Sequence, residues 1–204
     1  MTMNLGRSLR RGARSRRFPR LPLLLTFAVI SHTITPALPA DSLTLSLPAA
    51  AGWNVLSLPV GVTLNLKDSL FPESVSRAFR FGNGYVPIDS LVHGTGFWLK
   101  FDVDDTVLVR GTGVFVDSVG VNGGWNLIGA ISTTVAAPDV RSIPAGLIAS
   151  GFYRFSTRTG YSPADTLRPG YGYWVKTRGA GSLLLRSMNV PCPGTTAVVY
   201  AGAP

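Results

Sequence analysis

Two short strings hold the residues best suited to chemistry, "GTGFWLK" (94–100) and "GYGYWVK" (170–176). Each places a tryptophan two positions before a lysine, Trp98 with Lys100 and Trp174 with Lys176. In an extended strand, alternate residues share a face, so each string offers a flat indole beside an ammonium group. Such an indole can stack on a sugar or aromatic ligand, hold a cation over its face, or fill a core. Tyr85 and Tyr161 stand at the same spacing ahead of the two strings and add hydroxyl-bearing rings. The candidate binding set is therefore Trp98, Trp174, Tyr85, Tyr161, Lys100 and Lys176. The competing reading is structural, with the indoles packing between the two strings' surroundings or against a loop. The glycines before each tryptophan permit a tight turn or a close backbone approach. They do not form a phosphate loop, because the Lys-Ser/Thr ending and the following helix are missing.

Positioned acids, bases and nucleophiles are scarce. Beyond residue 40 the only histidine is His93, and position 169, its counterpart in the second string's neighbourhood, is Pro169. Glu73 is the only glutamate and Cys192 the only cysteine, so neither a zinc-type cluster nor an internal disulfide framework is available. The run "DVDD" (102–105) lacks the rest of a calcium loop and reads as a solvated turn. A glycan hydrolase would have to recruit aspartates from separate turns, and nothing in the spacing selects such a pair. No catalytic residue, metal or cofactor is expected, and the chain reads as a non-enzyme.

The formal charge of +9 is a local property. Seven arginines, from Arg7 to Arg20, precede any acidic residue, and the apolar run "LPLLLTFAVI" and the small residues Ala37 and Ala40 follow them. That order is the signature of a secretory signal peptide over 1–40, with cleavage after Ala40 or Ala37. The remainder is close to neutral, which argues against nucleic acid as a partner. Contact with a membrane is expected only through the leader before cleavage, and the mature chain is expected to be secreted, periplasmic or at the cell surface.

What positions the two strings is a duplication. "AGWNVLSLP" (51–59) matches "GGWNLIGAI" (123–131), "FRFGNGY" (79–85) matches "YRFSTRTGY" (153–161), and Arg110 matches Arg186. The offset is constant within segments and jumps only in turns, as in an ancestral repeat. One unit covers 41–111 and the other 112–187, with a tail at 188–204. Each unit reads as about six short strands. The segments beginning at Trp53 and Trp125 are apolar on both faces and read as central strands. The segments 79–85 and 153–161 read as hairpins with glycine at the left-handed position. Asp68 and Asp139 each read as the cap of one short helical turn. If the strand after each "GxGxW" string lies alongside it, Arg110 and Arg186 would flank the indoles. The fold class is thus mainly β, with two homologous units packed as a sandwich- or barrel-like body.

The pair of phrases "GWNVLSLPV" and "GFWLK", repeated as "GWNLIGAI" and "GYWVK", resembles a tandem β-repeat module of exported bacterial and archaeal cell-surface proteins, often seen with type IX secretion substrates. The resemblance spans about residues 42–187. It implies a β-rich extracellular module without assigned catalysis, adhesin-like in setting; for such a module the expected partner is a cell-envelope glycan or another surface protein. Two uses follow: a structural or interaction module, and a carbohydrate- or peptidoglycan-binding module using the surface aromatics.

Overall fold

The computed structural model describes residues 42–188 and, as backbone, the strand Val198–Tyr200. The expected leader at 1–40 and Cys192 lie outside the described residues. The first unit contains β1 (Ser42–Ala49), β2 (Gly52–Ser57), β3 (Val60–Gly61), the single-turn helix α1 (Lys67–Leu70), β4 (Ala78–Phe81), β5 (Tyr85–Ile88), β6 (Gly96–Phe101) and β7 (Asp105–Gly113). The second contains β8 (Val116–Val121), β9 (Gly124–Gly129), β10 (Val135–Ala136), a 3-10 turn (Ala137–Asp139), β11 (Arg141–Ile143), β12 (Phe152–Ser156), β13 (Gly160–Ala164), β14 (Thr166–Leu167), β15 (Gly172–Thr177) and β16 (Gly181–Arg186). The chain is mainly β, as the alternation predicts, and among the described residues no sheet closes into a barrel. The expected unit boundary at 111 falls inside β7, which runs on to Gly113.

Each unit is a two-layer sandwich. In the first, the sheet ordered β2-β6-β4-β5 faces the sheet β1-β7-β3. Period-two burial supplies the core, with Phe97, Leu99 and Phe101 of β6 packing with Leu43, Leu45 and Leu47 of β1 and Val107 and Val109 of β7. In the second, β9-β15-β12-β13 faces β8-β16-β11, and Tyr173 and Val175 pack with Val119, Val121, Leu183 and Leu185. The expected tail is not all loop, because β17 (Val198–Tyr200) pairs in parallel with β1 and so covers that edge.

The two units repeat their irregular features as well as their strands. Gly52 and Gly124 take φ of 98° and 97°, a conformation that favours glycine, immediately before Trp53 and Trp125. The asparagine after each tryptophan then ties the turn together. Asn54 accepts the Ala50 N–H at 3.0 Å and donates to the Ala50 and Gly52 carbonyls at 2.7 and 3.0 Å. Asn126 accepts from Asn122 at 2.9 Å and donates to the Asn122 and Gly124 carbonyls at 2.8 and 3.0 Å. Asn54→Ala orphans three partly covered backbone groups, whereas around Asn126 two of the three bonds are exposed and the Asn122 carbonyl keeps its bond from the Thr177 hydroxyl. We expect a loss of about 1–3 kcal/mol for Asn54→Ala in urea unfolding and a smaller one for Asn126→Ala.

Three local expectations are corrected. Asp68 and Asp139 are not caps: the cap positions are Leu66 and Ala136, neither making a side-chain bond, and the aspartates lie inside their turns. The first N–H of each turn is satisfied from elsewhere, Lys67 by the Asp89 carbonyl and Ala137 by the Asp165 carbonyl, both at 2.8 Å. Arg110 and Arg186 do not flank the indoles, because β7 and β16 belong to the opposite layers and pair with β1 and β8. Finally, β2 and β9 are edge strands and not central ones. They are apolar on both faces because the second face meets the other unit.

Tyr173 is enclosed in the second core, where its oxygen accepts the Arg168 N–H at 2.7 Å. Burial pushes its pKa up to about 12, outweighing that hydrogen bond. The folded state thus disfavours the phenolate. Its contribution is complete below about pH 10, the ordinary value of a tyrosine, and is lost as the pH rises through about 12. We expect about 2–3 kcal/mol of alkaline destabilisation from this group. Tyr173→Phe should flatten the stability profile above pH 10, read by denaturant midpoints across an alkaline series.

Candidate functional site

The units meet about an internal pseudo-twofold axis, and the repeated strings form the joint. The Ser57 N–H donates to the Gly170 carbonyl at 2.9 Å, and the Gly129 N–H donates to the Gly94 carbonyl at the same distance. Ser57 and Gly129 are equivalent residues, as are Gly94 and Gly170, so each unit gives the other the same bond. Bridges Leu56–Tyr171 and Thr95–Ile128 extend both contacts. Gly94 and Gly170 hold φ of 77° and 85°, which turns each loop toward the other unit. The second glycine of each string lies against foreign backbone. A Cβ on Gly172 would stand 2.7 Å from Val55 and 3.0 Å from the Leu56 oxygen; one on Gly96 would stand 2.9 Å from the Ile128 oxygen and from Leu127. The seam is also closed by polar bonds: Ser57 Oγ donates to the Tyr171 carbonyl at 2.8 Å, Ser132 Oγ donates to the Pro59 carbonyl at 2.5 Å, and His93 Nδ1 lies 2.9 Å from Asp117.

Beside this joint, the outward faces of β2-β6-β4-β5 and β9-β15-β12-β13 share an aromatic layer. Parity places Trp53, Val55, Phe79, Phe81, Tyr85, Trp98 and Lys100 on the first face, and Trp125, Leu127, Tyr153, Phe155, Tyr161, Trp174 and Lys176 on the second. Two contacts cross between units, Phe81 with Trp174 at 4.8 Å between ring centroids and Trp98 with Phe155 at 4.7 Å, both edge-to-face. Edge-to-face geometry sets the positive rim of one ring on the negative face of the next, adding about 0.5–1.5 kcal/mol per pair to simple burial. The rest of the layer repeats: Trp53–Trp98 and Trp125–Trp174 stand at 6.3 and 6.4 Å, and Trp53–Phe79 and Trp125–Tyr153 both at 6.0 Å.

The layer does not close completely. A cavity of about 350 Å³ is lined by Trp53, Phe79, Tyr85 and Trp98, and a second of about 540 Å³ by Phe81, Tyr85, Trp125, Tyr153, Tyr161 and Trp174. Tyr85 lines both, so the two cavities adjoin at its ring and together make a trough in two parts, the first at Trp53 and the second spanning the junction to Trp125. Burial and the neighbouring Tyr85 raise the Tyr161 pKa, so its hydroxyl stays a neutral donor and acceptor. That hydroxyl lies beside the Trp174 indole without closing a bond: the Nε1 atoms of Trp98 and Trp174 are both buried and unpartnered.

The six residues selected from the sequence thus divide. Tyr85 and Tyr161 are more than half exposed on the trough wall. Trp174 is buried at 8% exposure and Trp98 is half-buried, each covered by a phenylalanine of the other unit, so the indoles are first of all packing groups. Lys100 and Lys176 are exposed and stand directly opposite Trp53 and Trp125 in the ladders. The accessible indoles are those of Trp53 and Trp125, at 38% and 46% exposure, which the sequence reading placed in strands and did not select. The available signal was parity: in "WNVL" and "WNLI" the tryptophan is out of phase with core-facing Leu56 and Ile128 and so points outward.

Among the described residues, no carboxylate lines either cavity. Asp68 pairs with Lys67, Asp89 with Arg77, Asp104 with Arg158 and Asp117 with His93. Among the described residues, no three His, Cys, Asp or Glu side chains group to hold a metal ion, and no helix is long and apolar enough to cross a membrane. No family model matches the chain, and no curated protein or solved structure matches it. Fold and site together define it by their own geometry: a duplicated antiparallel β-sandwich protein whose halves share an aromatic trough on a pseudo-twofold axis.

Proposed function

We propose that this chain is an exported, non-catalytic interaction module of the cell envelope or extracellular space, and that its trough takes a carbohydrate. The observation that carries this reading is the row of accessible rings Trp53, Tyr85, Trp125 and Tyr161 along two adjoining apolar cavities. An apolar surface kept open to water marks a contact site. Sugar rings present C–H faces that lie flat on indole and phenol rings, with hydroxyls left at the rim. Separate ion pairs for Asp68, Asp89, Asp104 and Asp117, and cavity walls without a carboxylate, support the non-catalytic part. The basic, then apolar, then small-residue order of 1–40 supports export. One observation favours a purely structural role: Phe81 and Phe155 cover the indoles of Trp174 and Trp98.

Tryptophan fluorescence titrated with peptidoglycan fragments, neutral hexose oligomers and uronic-acid oligomers separates the two. The binding reading expects a saturable emission change with at least one glycan class, weakened tenfold or more in Trp53→Ala/Trp125→Ala. A folded protein whose emission ignores every class leaves only the structural role.

A further inference from the structure

We propose that the trough selects an acidic glycan, a chain of uronic-acid type, with Lys100 and Lys176 reading its carboxylates at the two ends. The inference rests on the carbohydrate reading above and specifies the ligand's charge. The strand residues facing the trough are aromatic, aliphatic, small or proline at every position except two, Lys100 and Lys176. The two lysines occupy equivalent places. Each lies directly across the ladder from an exposed tryptophan, Lys100 from Trp53 and Lys176 from Trp125, which brings their Cβ atoms to about 5 Å. Both are exposed, and neither ammonium has an ion-pair partner among the described residues.

An exposed ring beside an uncompensated cation is suited to a ligand with a flat apolar face and an anionic edge. A uronate residue has both, since its carboxylate projects from the ring that stacks. A cationic ligand is disfavoured by the same lysines. The trough's two ends make two charge-and-stack stations linked by Tyr85 and Tyr161, so an oligomer and not a single sugar would occupy it. The stations are not equal. After Lys100 come Asp102 and Asp104 in the turn, the latter paired with Arg158, and Asp105 at the start of β7, whereas Arg178 follows Lys176. The Lys176 station should therefore dominate.

The test titrates the full mature chain with a galacturonate oligomer, with the same oligomer as its methyl ester, and with a thymidine oligonucleotide of similar length. The expected result is about tenfold tighter binding of the acid than of the ester at low salt, shrinking toward parity at about 0.5 M salt as exposed charges are screened. K176Q should remove most of that preference and K100Q less, with ester binding and the unfolding midpoint unchanged. Equal affinity for acid and ester overturns the charge selectivity while leaving the stacking reading intact. No binding of either sugar overturns both. Acid preference that survives in the K100Q/K176Q double variant removes the lysines from the account, and tighter binding of the oligonucleotide makes the trough a single-stranded nucleic-acid site.

Discussion

Gly172→Val is expected to cost about 3 kcal/mol or more of stability, at the upper end for overpacking in a tight interior. The added side chain has nowhere to go. Its first carbon would lie 2.7 Å from Val55, 3.0 Å from the Leu56 oxygen and 3.2 Å from the Gly96 Cα. Two of these are backbone atoms of the other unit, held by the Ser57–Gly170 and Gly129–Gly94 bonds, so relief requires the units to separate. Gly96→Val should behave similarly. Gly120→Ala is the control, because nothing lies within 4 Å of the new carbon and the change should stay within about 0.5 kcal/mol. Urea unfolding of the three variants reads the difference. A Gly172→Val protein as stable as the Gly120→Ala control would show that the strings do not meet.

Trp174→Ala is expected to cost about 3–5 kcal/mol, the range for deleting a buried aromatic ring. The indole is 8% exposed and touches Phe81 at 4.8 Å and Trp125 at 6.4 Å, so its removal opens a cavity at the centre of the shared layer. The units are not perfectly symmetric here. Trp98 is only half-buried, and Trp98→Ala should cost less. Trp53→Ala should cost least, since that ring is already 38% exposed. The order Trp174, Trp98, Trp53 in denaturant midpoints is the specific outcome. Equal costs for Trp174 and Trp53 would mean that the layer is open at the junction.

The sequence and the structure agree best where one residue carries a local geometric demand. Glycine before Trp53 and Trp125 signals the positive φ of the turn, and the alternation in "GFWLKF" separates core-facing Phe97, Leu99 and Phe101 from outward Trp98 and Lys100. Pairing between distant strands was less legible. Nothing local indicates that β7 leaves the layer of β6 and joins β1, and the supposed proximity of Arg110 to the indole failed for that reason. The edge position of β2 was hidden by its composition: a strand covered by a second unit is as apolar as a central one. Capping failed differently. Asp68 and Asp139 have the right residue type, but backbone carbonyls of Asp89 and Asp165, far along the chain, already satisfy the turns. The trough itself was half visible. Its lysines stand in the repeated strings and its tyrosines at a fixed spacing ahead of them, whereas its accessible indoles, Trp53 and Trp125, emerge only when the register sets them opposite Lys100 and Lys176.

The central claim is that the units form one body through two equivalent backbone bonds, and amide hydrogen exchange of the intact protein tests it most directly. The Ser57 and Gly129 amides donate across the junction to Gly170 and Gly94. They should exchange only through global opening, with the same protection as the Leu99 and Val175 amides in the two cores. Rapid exchange at Ser57 and Gly129 while Leu99 and Val175 stay protected would contradict the account, since the two sandwiches would then be folding as separate bodies and opening at the joint.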